Sequence, residues 1–386
     1  MWRHLASNAM TFLIVALFLC AGVVAWGSQE YRAEGPLEQG ICLQVTPGSN
    51  MRRVSENLVE QGAVSSGALF RIGADYSEKA PLLKAGSFLI EDGASMEEIV
   101  DTVTRGGAST CGTEIVYRVG VRQNEVEVRE LDPADGRYEE VAEFTPGEGD
   151  VPEEYTRVLA EPDVRLRLAV AEGVTSWQVA QALAAIDVLD GEVGETPAEG
   201  TLAPDSYEFA QGESRTRIIE RMAAAQERIL AEAWETRAPD TPVATPEEAL
   251  ILASIVEKET GLAEERRQVA SVFANRLERG MRLQTDPAVI YGVTRGEGIL
   301  GRGLRRSELD TPTPWNTYLI DGLPPTPIAN PGRAAIEAAL NPDTTDYVYF
   351  VADGTGGHAF ATNLDDHNRN VAAWRAIEAQ QASEDG

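Results

Sequence analysis

Histidine and cysteine are scarce in this chain, three of each in 386 residues, and basic residues are outnumbered, 33 against 62 acidic. None of the histidines or cysteines sits at zinc-ligand spacing, which argues against a zinc centre. No nucleophile-elbow pattern supports a serine or cysteine nucleophile, and no glycine-rich loop is built to cradle phosphate. The formal net charge of -29 repels nucleic acid and anionic surfaces. Tracts of low complexity and short fixed repeats are also missing. Nothing calls for a metal or an organic cofactor. The acidity itself fits solubility and says nothing of activity.

One long apolar run is present. Residues 9–26, AMTFLIVALFLCAGVVAW, suffice to span a bilayer as a helix. Arg3, His4 and the amino terminus precede it, while Glu30 and Glu34 follow, so residues 1–8 are expected in the cytoplasm and the remainder outside. No small-x-small cleavage site follows the run, and Leu19 stands before Cys20 where a lipobox needs a small residue, so an uncleaved anchor is expected. Cys42 and Cys111 fall in the exported part, where one disulfide or two free thiols are both compatible with the sequence.

Beyond the anchor, Ile41–Val45 reads as a strand, the Val54–Val59 region and the Leu69–Ile72 region as helices, Gly86–Ile90 as a strand and Ser95–Val103 as a helix. Gly106-Gly107 makes a turn, and three alternating segments then read as strands: Glu114–Val121, Glu125–Leu131 and Tyr138–Phe144. Ser176–Ile186 reads as a helix, the acidic residues 187–200 as a linker or long loop, and Arg215–Glu235 as a long helix. Near the C-terminus, Tyr347–Ala352 and His358–Thr362 read as a hairpin. The fold class expected is α+β: an N-terminal transmembrane helix, small LysM-like α+β modules, and a C-terminal mixed α/β catalytic domain. The expected boundaries are 9–26 for the anchor, 40–106 for the LysM-like module and 107–165 for a strand-rich insertion. Residues 166–199 form a possible second LysM-like segment with its linker, and 200–380 the catalytic domain.

The segment Thr245–Gly292 carries the densest chemistry. Thr245-Pro246-Glu247-Glu248 has the form of a capping box that starts a helix. Apolar residues surround that helix on all sides, so it should be buried. Two glutamates near its end are therefore costly, and Glu257 and Glu259 point in opposite directions. Glu257 lies beside the small Ala253 and Ser254, which leave room for a ligand; a half-buried carboxyl there suits a general acid. Pairing of both glutamates with Lys258, Arg266 or Arg267 is the alternative. A second helix follows, then a short strand ending in Gln284-Thr285-Asp286-Pro287, with Asp286 as the cap of the next helix. Residues 313–328, TPWNTYLIDGLPPTPI, set aromatic and amide groups on a proline-stiffened segment suited to sugars or to simple packing.

Ser254-Ile255-Val256-Glu257-Lys258-Glu259-Thr260, Val272-Phe273-Ala274-Asn275-Arg276-Leu277, Gly280 to Pro287 (GMRLQTDP), Tyr291-Gly292, Asn316-Thr317-Tyr318, Gly322-Leu323-Pro324-Pro325, Asn330-Pro331-Gly332 and Tyr349-Phe350-Val351 together resemble the endolytic murein transglycosylases, the YceG-like proteins. The resemblance runs in one register from about residue 200 to the C-terminus. It does not extend to about 110–165. It implies a bacterial inner-membrane enzyme, its C-terminal domain in the periplasm, that cuts peptidoglycan glycan strands internally at the MurNAc-β-1,4-GlcNAc bond. The muramyl 6-hydroxyl would attack its own anomeric carbon, leaving a 1,6-anhydro end. The implied acid and base is Glu257, with Gln284, Thr285, Tyr291, Asn316, Tyr318 and His358 as candidates to hold the sugars. Because the nucleophile belongs to the substrate, one carboxyl can suffice where ordinary glycosidases need two. The implied partners are glycan strands and peptidoglycan synthases, and the implied role is setting glycan strand length. A muramidase using water and a noncatalytic peptidoglycan-binding scaffold are the competing readings.

Overall fold

The computed structural model describes residues 2–105, 111–161 and 164–384, with the side chains of 2–9 and 381–384 excepted. The expected turn at Gly106-Gly107, and the side chains of Arg3 and His4, lie outside the described residues. The chain divides into two compact units, one of Met1–Ile115, Glu127–Glu143 and Asp150–Arg165, the other of Val116–Val126, Phe144–Gly149 and Leu166–Gly386.

The first unit opens with helix α1 (Trp2–Arg32), whose Met10–Arg32 portion is long and apolar enough to cross a membrane. Strand β1 (Ile41–Val45), helices α2 (Met51–Glu60) and α3 (Gly67–Tyr76), strand β2 (Gly86–Ile90) and helix α4 (Met96–Thr104) follow in the expected order. β1 and β2 pair antiparallel, Ile41 opposite Ile90 and Val45 opposite Gly86. Side-chain caps begin α2, α3 and α4: Asn50 accepts from Arg53 N–H, Ser66 from Leu69 N–H, and Ser95 with Glu98 forms a complete capping box. Leu43, Leu58, Phe70, Ile90, Ile99 and Val103 fill the core between them. Cys42 and Cys111 are joined in a disulfide, Cα atoms 5.6 Å apart across 69 residues. Strands β3 (Thr113–Val119), β4 (Asn124–Asp132) and β5 (Arg137–Phe144) neighbour one another in the order β5-β4-β3, and helix α5 (Glu153–Leu159) follows.

In the second unit, β6 (Arg165–Val170) leads to α6 (Ser176–Ala185), and β7 (Ser206–Phe209) pairs antiparallel with β6. Residues 187–200 form an ordered loop. Leu189 is buried, Asp190 bridges to Ser214, and Glu199 accepts from Ser176 N–H at 2.8 Å. Helices α7 (Arg215–Glu235), α8 (Pro246–Glu259), α9 (Arg266–Glu278), α10 (Asp286–Thr294), α11 (Arg306–Leu309) and α12 (Arg333–Leu340) precede the hairpin β8 (Tyr349–Ala352) and β9 (His358–Ala361), and α13 (Leu364–Glu384) ends the chain. α8 is the central element: every residue from Ala249 to Val256 is buried, and it packs on α9 and α12. Leu252, Ile255, Val269, Phe273, Ile336 and Leu340 form that core. At about 1.5–3 kcal/mol per fully buried aliphatic side chain, it holds α8 rigidly in place.

Two local expectations differ. Thr245 accepts from Glu248 N–H as a cap should, but Glu248 reaches back to Ala244 N–H rather than to Thr245. Residues 281–285 form no strand. Gln284 has φ 51°, which breaks a strand, and its N–H donates to Thr317 O at 3.1 Å. The buried Arg276 guanidinium donates to Leu283 O at 2.6 Å, taking a carbonyl that a strand partner would have used.

Candidate active site

The last turn of α8 sends its two glutamates to different surroundings. Glu257 accepts from Gly332 N–H at 3.0 Å. Burial raises its pKa, the Gly332 bond lowers it, and the nearby Glu172 raises it again. A Cβ on residue 332 would lie 1.7 Å from a Glu172 carboxylate oxygen, so the exposed Glu172 side chain would have to swing aside for any larger residue. Lys258 donates to Gly173 O at 3.1 Å, and burial pushes its pKa down. Arg267, offered by the sequence as a glutamate partner, instead pairs with Asp343 at 3.1 Å.

Glu259 faces segments that arrive from far along the chain. Thr285 Oγ1 donates to its Oε1. Its pKa is pushed up to about 7, chiefly by burial; the Thr285 bond lowers it, Asp286 raises it, and His358 and Arg276 lower it. Thr285 is fixed by its own N–H to Thr317 Oγ1 at 2.9 Å. Asp286 does not cap α10: its Oδ1 accepts from Tyr318 O–H at 2.7 Å, and Thr285 occupies the cap position. His358, on β9, is held by Glu265, which accepts from both its backbone N–H and its Nδ1 at 2.9 Å. Glu265 thereby engages Nδ1, which leaves Nε2 as the ring nitrogen that can meet a ligand. Gln284 is exposed beside these groups, in the left-handed conformation. A non-glycine residue held at positive φ next to a perturbed carboxyl is a pattern that clusters at functional sites.

Of the residues read from sequence, the structure therefore brings Gln284, Thr285, Tyr318 and His358 to the Glu259 side. Tyr291 belongs elsewhere, hydrogen-bonded to Glu199, whose own pKa is raised by burial. Asn316 is fully buried; its Nδ2 donates to the carbonyls of Glu308, Leu309 and Thr311, and its Oδ1 accepts from Tyr318 N–H. Asn316 thus shapes the loop that presents Tyr318. Trp315 is buried too, its Nε1 donating to Thr326 Oγ1 at 3.0 Å. Glu265 escaped sequence reading: it stands at the N-cap of α9 but makes no cap bond there, and only the structure shows its carboxylate on His358. Glu172 and Glu199 gave no signal in the sequence.

The arrangement can deliver a proton near neutral pH from a largely enclosed carboxyl, flanked by hydroxyl, amide and imidazole groups suited to a polyhydroxy ligand. A model of the YceG-like family matches residues 142–373, more than half of the chain. The chain belongs to the YceG-like family. Among its relatives, proteins named endolytic murein transglycosylase from two strains of Streptococcus pneumoniae are 28% identical over 383 residues, 96% of this chain and 65% of theirs. A protein of the same name from Bacillus subtilis is 37% identical over 173 residues, 45% of this chain and 47% of its own length. The chain thus spans less than two thirds of the length of these relatives. A crystal structure described as a yceG-like protein from Listeria monocytogenes aligns over 86% of this chain and 99% of its own, with a TM-score of 0.47 at 24% identity. In this YceG-like chain the family match covers both glutamates of α8 and every residue gathered around Glu259.

Proposed function

We propose that this chain is a membrane-anchored endolytic murein transglycosylase in which Glu259, rather than Glu257, is the proton donor. The observation that carries the assignment is the convergence of Thr285, Asp286, Tyr318 and His358 on a carboxyl pushed up to about 7. At pH 7 such a carboxyl is about half protonated, against roughly 0.3% for one at 4.5, a gain of about 150-fold in available acid. Glu257 is also raised, but one of its oxygens already accepts a backbone N–H, an interaction that favours the carboxylate.

In the proposed reaction, Glu259 gives its proton to the glycosidic oxygen between MurNAc and GlcNAc as the C1–O bond breaks. The resulting carboxylate takes the proton of the muramyl 6-hydroxyl as that oxygen bonds to C1. The carboxyl ends as it began, water is not consumed, and the new end is a 1,6-anhydro sugar. Tyr318, His358 and Gln284 line the approach to Glu259 and would contact the sugars, with Thr285 holding the carboxyl and Asn316 holding the Tyr318 loop. Tyr291, bonded to Glu199, and Glu257, bonded to Gly332, lie away from Glu259 and would take no direct part. α1 would anchor the enzyme in the inner membrane with the second unit in the periplasm. The 40–106 region would serve as a LysM-like glycan contact, and peptidoglycan synthases would be the neighbours whose strands it trims.

The test is the mass of the products formed from isolated glycan strands by the full chain. Anhydro-muramyl ends support the proposal. Reducing ends, heavier by one water, would mean hydrolysis, and binding without cleavage would mean a scaffold.

A further inference from the structure

We infer that helix α3 lies on the bilayer surface and inserts Ile72 and Tyr76 at the boundary between headgroups and acyl chains. The inference rests on the reading of α1 as a membrane span. Both helices belong to the first unit, and three contacts, one from Ser65 just before the cap of α3 and two from α3 itself, set this segment against the end of α1. Leu69 Cδ1 lies 3.5 Å from where a Cβ on Gly27 would be. Ser65 Oγ donates to Glu30 Oε1 at 3.0 Å. A Cβ on Gly73 would fall 2.1 Å from Tyr31 Cε2, inside the ring's contact distance, so only glycine allows this approach, and Tyr31 is buried.

These contacts fix the side of α3 that faces the membrane. Residues 65 and 73 meet α1 at Glu30 and Tyr31, whereas Leu69 reaches down to Gly27, the residue after Trp26. The Leu69 face is thus the one turned toward the apolar stretch of α1. At 100° per residue, Ile72 and Tyr76 fall within about 60° of Leu69 on the same face. Ile72 is 63% exposed and Tyr76 92%, while Phe70 and Ala74 on the opposite face are buried in the core. Core packing therefore explains half of this helix and leaves its apolar edge uncovered. On α1, Val23, Val24 and Trp26 are likewise exposed, so the two apolar surfaces adjoin. Tryptophan and tyrosine are the residues that favour the membrane–water boundary. The occupant is therefore lipid: an interfacial helix typically buries its apolar face about 5–10 Å into the headgroup region. One consequence is that the first unit is held flat against the membrane rather than swinging on its anchor.

The full chain reconstituted in vesicles tests this by labelling single cysteines with a fluorophore and quenching with lipids nitroxide-labelled near the headgroup. Native Cys20, free and exposed on α1, reports the span itself; Ile72→Cys, Tyr76→Cys and the exposed control Thr46→Cys are made with Cys20→Ser. The expected result is quenching of roughly twofold or more at positions 72 and 76, with Thr46→Cys unaffected, as for an interfacial helix. Quenching at Cys20 but not at 72 or 76 would overturn the inference while leaving the anchor intact. No quenching at Cys20, even by lipids labelled deep in the acyl chain, would overturn the anchor reading and the inference with it.

Discussion

Replacing Thr285 by valine and, separately, Asp286 by asparagine should move the pH profile of cleavage in opposite directions. If protonated Glu259 starts the reaction, kcat/KM falls above its pKa, so the wild-type alkaline limb should bend near pH 7. The Thr285 hydroxyl bonds the carboxyl and lowers that pKa. A hydrogen bond to a charged group contributes about 1.5–3 kcal/mol, and 1.36 kcal/mol is one pKa unit, so Thr285→Val should move the limb up by about one to two units. The shape of the side chain and both backbone bonds to Thr317 are kept. Asp286 raises the pKa through its charge, and it is exposed, so its effect is screened. Asp286→Asn should move the limb down by roughly half a unit or less. The assay is release of soluble fragments from isolated glycan strands between pH 5 and 9, with unfolding midpoints checked at each pH. Shifts of the same sign, or an unmoved limb in both variants, would refute Glu259 as the acid.

Three further outcomes are expected. A carboxyl raised on folding makes the protein less stable as pH climbs from about 4.5 to about 7, because the unfolded chain gives up its proton first. Glu259→Gln should therefore gain up to about 3 kcal/mol over wild type at pH 8 and nothing at pH 4, read by urea unfolding. Replacing Cys42 and Cys111 by serine should cost about 2–4 kcal/mol by releasing a 69-residue cross-link, and an unmoved denaturation midpoint would argue against the bond. Asn316→Ala strips several bonds from a buried loop; a loss of roughly 2–3 kcal/mol and a fall in kcat/KM through the displaced Tyr318 are expected, and unaltered kinetics would separate that loop from the site.

Much of the fold was legible because local chemistry decided it. Thr245 and Pro246 start α8 where capping rules place the boundary, and Ser95 with Glu98 starts α4. The alternation of β8 and β9 is enough to identify that hairpin. The opposite headings of Glu257 and Glu259 also follow from helix geometry alone. Which of the two has the more telling surroundings does not follow, because α8 does not supply them. Thr285 lies 26 residues from Glu259, and His358 is itself held by a carboxylate 93 residues away. A reading confined to neighbours on the helix favoured the glutamate beside small residues and could not weigh the one that distant loops enclose. Asp286 misled for the same reason: Asp before Pro is a normal cap, and only the arrival of Tyr318 shows the carboxylate engaged elsewhere. Gln284 reads as strand by composition, yet the Thr317 loop and Arg276 claim the backbone groups on either side.

Mass spectrometry of muropeptides from glycan strands treated with wild type, Glu259→Gln and Glu257→Gln is the most direct test of the assignment. Anhydro-muramyl ends from wild type and Glu257→Gln, with none from a folded Glu259→Gln, are what this account predicts. Undiminished anhydro ends from Glu259→Gln, with loss in Glu257→Gln, would contradict it.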